Sequence, residues 1–423
     1  MDLQKGTLRL RIGKRMLSEA ILFLYLTLPI LNMFFRIVLS QVGLGSYNVW
    51  ASCILILTLY FLLCATARKL LVPDFWLLYF LIGFFFLITY LLHPEYEYWY
   101  KRSDYGVINY VLKPNNGIFL YLFIRLVNDP KRILKTIKTS AWPIYLWYGY
   151  QVIQAMARGY WVDTSNRGYE IHMSYNLSLG YNVLLFVLPF LYSALAEKKL
   201  TDWIGAFVGI AIILVAGSRG PFLDIGIFLA IYILLKFSRS RKKIILALSI
   251  IAGSILLWIS YPFLISQLAG LLEKLNLSSR MISKLVSGEV LDDSNRSTIW
   301  NAAVEMIKQH PFGYGAMGTR HVIYQYIYVA HPHQFFLEVL VDFGVVFGSA
   351  IILWLAVKTV KLFKMKGQDE WKAVFLIFFA RACQLLVSLT FWHSIGLWGA
   401  LAVGVCMCKA KRKELRYGGQ QDE

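Results

Sequence analysis

The sequence predicts an all-α, polytopic membrane protein with about twelve transmembrane helices. Hydrophobic residues make up 58% of the 423-residue chain, and the mean hydropathy is +0.56, values that soluble proteins of this length rarely reach. Long apolar runs recur along the whole chain, and most are long enough to cross a hydrocarbon layer of ~30 Å as a helix. Basic residues gather between these runs. The formal charge of +19 therefore indicates loops beside a lipid bilayer and no nucleic-acid partner.

Twelve apolar runs are predicted to be the spans of a single integral membrane domain, residues 1–423. In chain order they are 17–36, 46–66, 71–92, 106–127, 134–156, 178–195, 200–217, 221–236, 244–263, 334–357, 372–389 and 392–408. The basic start of the chain runs directly into the first of them, which is long enough to be retained as a span. The fourth is interrupted by residues 113–116, so we expect a broken helix there. A membrane tolerates a broken helix only where protein or water surrounds the backbone.

The distribution of basic residues predicts the orientation. If the N-terminus is cytoplasmic, so is the C-terminus, and the cytoplasmic segments hold 27 of the 43 Lys and Arg residues. These segments are 1–16, 67–70, 128–138, 197–199, 236–243, 358–371 and 409–423. Every one of them is basic, as the positive-inside rule requires. All seven histidines then fall on the outer side, together with the two longest loops, 157–177 and 264–333. Loops as long as the second are usually functional.

Two helices are predicted inside the large loop 264–333. Residues 265–276 place apolar side chains at helical spacing, which is typical of a helix lying in the membrane interface. Asp293 or Ser294 is predicted to cap a second helix that runs to about His310, with Arg296 in its first turn. Free amide groups and the positive end of the helix dipole make such a turn a good phosphate site. The segment PFGYG, 311–315, then predicts a tight turn.

Three segments together resemble the O-antigen ligase and O-antigen polymerase superfamily. They are GSRGP at 217–221, NRSTIWNAAVEMIKQHPFGYG at 295–315 and HPHQFFLEVLVDFG at 331–344. The second follows the arginine, tryptophan, proline and glycine–x–glycine order of that superfamily. The third resembles its histidine–asparagine and terminal-glycine pattern, with Gln334 in the asparagine place. The three segments occur in the expected order around a large outer loop.

The resemblance implies an enzyme that takes a glycan from an undecaprenyl diphosphate carrier at the periplasmic face of the bacterial inner membrane. It implies an inverting transfer that needs neither a metal nor a cofactor. The acceptor is another carrier-linked repeat unit for a polymerase and the lipid A core for a ligase, and a chain-length regulator is a candidate partner. The superfamily's essential arginines carry over to Arg219 and Arg296, and its essential histidine to His333.

Elementary chemistry agrees with these residue types. The leaving diphosphate develops negative charge, and the planar fork of arginine binds phosphate better than the point charge of lysine. The acceptor hydroxyl is a poor nucleophile, and a nearby imidazole increases the rate ~10²–10⁴-fold by accepting its proton. No DxD motif or cysteine–histidine spacing predicts a metal site, so the arginines are expected to stabilise the charge.

Further candidates surround these residues. His331 lies two residues further out in the loop, so we expect it to orient His333 or to contribute less. Glu338 lies about one turn inside the span, where carboxylates are costly; it is predicted to orient His333 or to pair with a cation such as Arg381. Three arginines are candidates for binding the diphosphate or an acidic glycan: Arg158, Arg167 and Arg320.

Two alternatives stay open. No residue distinguishes a polymerase from a ligase, and we favour the polymerase only because that branch is the more varied and numerous. A transporter or flippase would instead use charges inside the membrane, and the sequence offers Asp74, Lys113, Asp202, Asp224 and Arg381. Those charges are scattered along the chain, whereas the outer histidines and arginines are concentrated.

Overall fold

The structure, a computed structural model, describes residues 13–67, 70–102, 106–164, 170–173, 176–218, 220–236, 241–274, 296–327 and 329–418. The described chain is largely helical, as predicted. The first half contains α1 (Lys14–Leu26), α2 (Leu28–Ser40), α3 (Asn48–Thr66), α4 (Pro73–Leu92), α5 (Glu97–Lys101), α6 (Gly117–Val127) and α7 (Pro130–Arg158). The second half contains α8 (Leu177–Glu197), α9 (Leu200–Val215), α10 (Gly220–Lys236), α11 (Arg241–Lys274), α12 (Arg296–Gln309), α13 (Gly318–Tyr326), α14 (Phe335–Lys364), α15 (Asp369–Ala382) and α16 (Ile395–Gly418).

The predicted count of twelve spans is not confirmed. By length and apolar composition, four of the described helices qualify as spans, or five if a bent pair counts as one. The four are Gly45–Thr66, Pro73–Leu92, Ser178–Glu197 and Phe335–Lys364. Other predicted positions also hold helices, but these are shorter or more polar. For example, α9 has 16 residues, fewer than the ~20 that a span needs.

The first predicted span is a broken helix. The chain breaks at Thr27, and the axes of α1 and α2 differ by 78°. Pro29 explains the break, because proline has no N–H to continue the hydrogen-bond ladder and its ring clashes with the preceding turn. The Thr27 hydroxyl donates to the carbonyl oxygen of Phe23 at 2.8 Å, which satisfies one group of the broken ladder.

The fourth predicted span is also broken, as expected. A short π-helical turn, Ile108–Leu112, ends before residues 113–116, and α6 follows. Every residue of α6 is buried, so protein surrounds the interruption and makes it tolerable in a membrane. The Tyr25 hydroxyl donates to the carbonyl oxygen of Asn116 at 2.8 Å. The α6 helix packs along α16, which packs along α15, and these helices form the centre of the core with α8.

The two outer loops contain regular structure. A short antiparallel hairpin joins β1 (Trp161–Thr164) to β2 (Glu170–Met173), with Trp161 opposite Met173. The α11 helix continues through Lys274, so residues 265–274 are helical as predicted, although they continue α11 and do not form a helix of their own. The predicted caps, Asp293 and Ser294, lie outside the described residues. The predicted end is confirmed, because α12 stops at Gln309, directly before the turn at Pro311.

Candidate functional site

The histidine segment sits at the start of α14. Gln334 is the N-cap of this helix, and its Oε1 accepts a hydrogen bond from the amide of Leu337 at 2.7 Å. Gln334 occupies the position at which the superfamily that the segment resembles has asparagine. In this chain its side-chain amide caps the start of the helix. The preceding residue, His333, has φ of +56°, a left-handed conformation in which histidine and asparagine are enriched among non-glycine residues. The cap therefore fixes the start of α14 directly after His333.

The rings of His331 and His333 are in contact. Their centroids lie 4.1 Å apart at an interplanar angle of 51°. Both ring nitrogens of His331 are buried and have no hydrogen-bond partner among the described residues. His331 therefore lies directly against His333, as a residue that orients the His333 ring would, and its role stays a prediction.

The partly buried positions of His331 and His333 favour the neutral form of both imidazoles. Burial, and then the charge of Arg296, lower the pKa of His333 to about 4. The pKa of His331 is also lowered, by burial and then by the charges of His333 and Arg320. A neutral imidazole is the form that accepts a proton. Arg296 of the second motif is thus close enough to His333 of the third motif for its charge to act on the imidazole ring.

Arg296 is the first residue of α12 and is partly buried. The apolar face of this helix packs into the protein, with Ala303 and Met306 fully buried. That packing holds the first turn of α12 near the His333 ring. Arg296 is thus placed where a phosphate accepted by the helix start would also meet a guanidinium.

Arg320 is buried and does not lie on the surface of the loop. Its side chain is 2% exposed, and its Cζ lies 3.6 Å from the centroid of the Tyr110 ring. Its charge acts on His331 and on two carboxylates of α14, Glu338 and Asp342. A buried cation needs nearby groups that offset its desolvation, and these two buried carboxyl groups are the acidic side chains of α14 on which its charge acts.

Glu338 is held by the segment before α16, and not by Arg381. It is 1% exposed. Its Oε1 accepts from the Thr390 hydroxyl at 2.6 Å, and its Oε2 accepts from the amide of Phe391 at 3.3 Å. The Thr390 hydroxyl is in turn 2.9 Å from the Tyr110 hydroxyl. Within the described chain these bonds join Glu338 to Tyr110, and none joins it to His333. Arg381 bonds Gln384 instead.

Two residues of this neighbourhood were missed by the sequence interpretation. Asp342 is 5% exposed and accepts a hydrogen bond from the Thr319 hydroxyl. The signal for it was present, since Glu338 and Asp342 are four residues apart on one helix face. His393 packs edge-on against Tyr110, with centroids 4.8 Å apart. No local signal indicates that His393 would approach Tyr110.

The glycines of the second and third motifs join the two segments. The α14 helix is interrupted at Gly344, where φ is +78° and ψ is 170°. Gly313, in the predicted tight turn, has φ of +89°. A Cβ on Gly313 would stand 2.4 Å from the Gly344 nitrogen, closer than side-chain carbons come to backbone atoms. Only glycine at both positions permits this approach.

The turn supplies the hydrogen bonds that the interrupted helix lacks. The amide of Tyr314 donates to the carbonyl of Val341 at 2.8 Å, and that of Gly315 donates to the carbonyl of Asp342 at 2.9 Å. The amide of Val345 donates to the carbonyl of Pro311 at 2.7 Å. These bonds satisfy backbone groups that a helix break would leave unpaired.

The remaining predicted arginines are Arg158, Arg167 and Arg219. Arg219 and Arg167 lie outside the described residues. Arg158 is exposed in the last turn of α7. The neighbours of Arg219 are described: Ser218 is fully buried, and the backbone of Gly220 lies against the Tyr181 hydroxyl. Among the described residues, no three His, Cys, Asp or Glu side chains converge in a way that could hold a metal ion.

Comparison with known proteins agrees with the resemblance. Residues 204–355 match the family model of the O-antigen ligase. The match spans the segment 217–221, the α12 helix with its turn, and the histidine segment with the first part of α14. No curated protein and no solved structure matches the chain.

Proposed function

We propose that this bacterial membrane protein, whose residues 204–355 match the O-antigen ligase family model, is a glycosyltransferase that polymerises undecaprenyl-diphosphate-linked oligosaccharide repeat units. The products are O-antigen or capsular polysaccharide chains made at the periplasmic face of the inner membrane. The observation that carries the proposal is the partly buried His333 ring, on which the charge of Arg296 acts. This pair provides a proton acceptor and a phosphate-binding cation in one place.

The proposed reaction inverts the anomeric carbon of the donor. The acceptor hydroxyl attacks that carbon from the face opposite the diphosphate, while His333 accepts the hydroxyl proton. A new carbon–oxygen bond forms as the bond to the diphosphate oxygen breaks, and the electron pair leaves with the diphosphate. Arg296, with Arg219 as the resemblance implies, stabilises the charge that develops there. The imidazolium then releases its proton to water.

The buried residues around this pair have a supporting role in the proposal. His331 holds the His333 ring by direct contact. Arg320 and Glu338 fix the segments that carry His331 and the start of α14, because both are too buried to meet a substrate without a rearrangement. Arg158 and Arg167 are proposed to contact the outer sugars of an acidic glycan, since the exposed end of α7 leads into the hairpin loop.

A ligase is the second candidate, and the description of the matching family favours it directly. In that case the same chemistry transfers the finished glycan to the lipid A core. A transporter is less well supported, because two of the charges that it would use have fixed protein partners. Asp74 binds the Arg125 guanidinium through both oxygens, at 2.9 Å and 3.1 Å, and Asp202 pairs with Lys138.

The test uses the purified protein in lipid nanodiscs with two acceptors offered separately. A polymerase converts lipid-linked repeat units into a ladder of longer lipid-linked chains without any other acceptor. A ligase leaves those units unchanged until lipid A core is added. If neither acceptor is used by protein that retains its thermal unfolding transition, the proposed function is wrong.

A further inference from the structure

A lateral groove lies between α4 and α14, near the end of α4. Its volume is about 680 Å³, within the ~300–1,000 Å³ of sites that bind small molecules. One wall is the second half of α4, from Phe85 to His93, and the other is α14 beyond its helical break. The turn at 312–315 closes one end, because a Cβ on Gly315 would lie 2.7 Å from the Thr89 side chain.

The groove opens toward the lipid bilayer. Both helices qualify as membrane spans by length and composition. The side chains at its rim are exposed, since Leu92 of α4 and Phe347 of α14 are each 71% exposed. In a membrane such apolar side chains meet hydrocarbon, and the predicted orientation puts this end of α4 in the outer leaflet. A lipid chain of that leaflet can therefore enter the groove from the side.

The lining of the groove suits a hydrocarbon chain and not a charged head group. No lysine or arginine of the described chain lines it. Its polar side chains are Thr89, His93 and Asp342. Each is already hydrogen-bonded within the protein, to the Ala316 amide, the Glu95 carboxylate and the Thr319 hydroxyl, respectively. A diphosphate would meet no cation there, whereas a hydrocarbon chain leaves all of these bonds intact.

Aromatic side chains form much of the wall. The rings of Phe85 and Phe343 stack with their centroids 4.9 Å apart, and Phe347 and Trp354 continue this surface along α14. Lipid tails are as apolar as the groove, so only close packing can favour a bound chain over a free one. Large rigid rings offer such contacts. The branched isoprene units of a polyprenyl chain fill the spaces between rings more fully than straight acyl chains do.

The groove lies well away from the reacting groups. The α12 helix has 14 residues, so ~20 Å separate Arg296 at its start from the turn that closes the groove. The helical stretch from Phe335 to Phe343 places ~13 Å between the groove and His333. A donor diphosphate is bonded to the sugar that reacts, so it must lie beside Arg296. In a lipid-linked acceptor, several sugars separate the diphosphate from the reacting hydroxyl.

From these observations we propose that the groove between α4 and α14 holds the polyprenyl chain of the acceptor carrier. The acceptor's repeat unit then extends from the turn at 312–315 to His333, while the donor diphosphate lies beside Arg296. The inference rests on the proposed function, because a polymerase uses a second carrier-linked unit as its acceptor. It assigns the two carriers to separate places on the protein.

The experiment replaces Phe347 with the photoreactive p-benzoylphenylalanine in the full-length protein. The protein is placed in nanodiscs of phosphatidylethanolamine and phosphatidylglycerol that contain undecaprenyl diphosphate. Illumination joins the probe to the nearest C–H group, and mass spectrometry identifies the molecule attached. The matched control carries the probe at Phe207 in α9, which is 61% exposed and does not line the groove.

We expect undecaprenyl diphosphate on the probe at position 347 and phospholipid alone on the probe at position 207. Ala350→Trp, which fills the groove, should lower the undecaprenyl adduct ~tenfold, the ratio that about ten lost carbon–carbon contacts give. Ser349→Trp is its control, because Ser349 is exposed on the same helix but does not line the groove. Both variants should keep the native thermal unfolding transition, since each added ring lies at an exposed position.

Arg296→Gln distinguishes the two carriers. It weakens the donor site, so the adduct at position 347 should stay unchanged if the groove holds the acceptor chain. Loss of the adduct in Arg296→Gln would assign the groove to the donor chain and overturn the inference. Phospholipid alone at position 347, or a cross-link to a second copy of the protein, would also overturn it.

The inference and the proposed function can fail separately. If the adduct forms as expected but the unaltered protein transfers no glycan to either acceptor, the polyprenyl groove stands and the glycosyltransferase proposal falls. If Ala350→Trp extends lipid-linked chains with the same turnover and Michaelis constant as Ser349→Trp, the glycosyltransferase proposal stands and the role of the groove falls.

Discussion

Gly313 and Gly344 lie backbone against backbone, so close that a Cβ on Gly313 would stand only 2.4 Å from the nitrogen of Gly344. Both have positive φ, +89° and +78°. This contact holds the end of α12 against the break in α14, and so it sets the distance between Arg296 and His333 at the other ends of those segments. The glycines of the two motifs are therefore structural, and they act on the site from a distance.

Replacing either glycine should destabilise the fold. Gly344→Ala must adopt an unfavourable φ and push against the carbonyl of Phe312, so we expect a loss of about 2–4 kcal/mol. Gly83→Ala in α4 is the matched control, since nothing lies within 4 Å of a Cβ there and alanine favours helix. Thermal unfolding in detergent measures both. Equal transition temperatures for the two variants would show that the glycine contact contributes nothing to stability.

The left-handed backbone of His333 dictates which substitution tests its role. His333→Ala removes the ring but also places alanine at φ near +56°, which costs stability. His333→Asn tolerates that backbone better, so it should unfold at nearly the native temperature while losing ~10²–10⁴ in turnover. Steady-state glycan transfer with saturating donor measures the effect. His331→Asn serves as the comparison, and an equal loss in both variants would mean that the two rings act as one unit.

The pH dependence should report a depressed imidazole pKa. Since His333 has a pKa of about 4, the base stays neutral and turnover should be flat from pH 8 to about pH 5, falling only below that. An ordinary histidine would lose half its activity near pH 6.5. Arg296→Gln removes one cause of the shift, so the midpoint should move to higher pH. A midpoint near 6.5 in the unaltered protein would exclude a buried His333 as the base.

Acid should also weaken the fold. The unfolded histidines bind protons below their ordinary pKa of about 6.5, whereas the folded His331 and His333 stay neutral to lower pH. The unfolded state then binds more protons between about pH 4 and 6.5, so the free energy of unfolding falls as pH drops through that window. His333→Asn should show a shallower fall. An identical pH slope in the two proteins would contradict the lowered pKa of His333.

The buried Arg320 should matter for stability more than an exposed arginine does. Arg320→Ala leaves Glu338 and Asp342 without their cation, and breaking such a buried cluster costs about 3–5 kcal/mol. Arg158→Ala, at the exposed end of α7, should change stability by less than about 0.5 kcal/mol. Adding Asp342→Asn to Arg320→Ala should recover part of the loss. No recovery would mean that the two residues are not coupled through charge.

The predicted orientation can be tested with single cysteines. In a variant without its five native cysteines, Gln309→Cys at the exposed end of α12 should react with an impermeant maleimide in intact spheroplasts. Lys366→Cys, exposed after α14, should react only after lysis. The reverse pattern would place the histidine segment in the cytoplasm, where the proposed donor does not present its glycan.

Local features were predictable from sequence, and long-range contacts were not. The polar residues at 113–116 predicted a broken span, and Pro311 predicted the end of α12. The break at Gly344 was hidden in an apolar run, because the turn that supports it comes from thirty residues earlier. Helical periodicity shows which face of α14 is buried, but not that Thr390 is the partner of Glu338. Arg320 was placed in an aqueous loop, since nothing local indicates that α13 packs its arginine onto Tyr110.

The proposed function depends above all on glycan transfer with inversion by His333 and Arg296, and the anomeric configuration of the product reports on that step. Purified protein is incubated with a single undecaprenyl-diphosphate-linked repeat unit, and the new linkage is read by NMR spectroscopy alongside the size of the products. We expect a ladder of lipid-linked chains whose new bond has the opposite anomeric configuration to the donor, and no ladder from His333→Asn. A new bond with the donor's own configuration, or an undiminished ladder from His333→Asn, would show that the proposed mechanism is wrong.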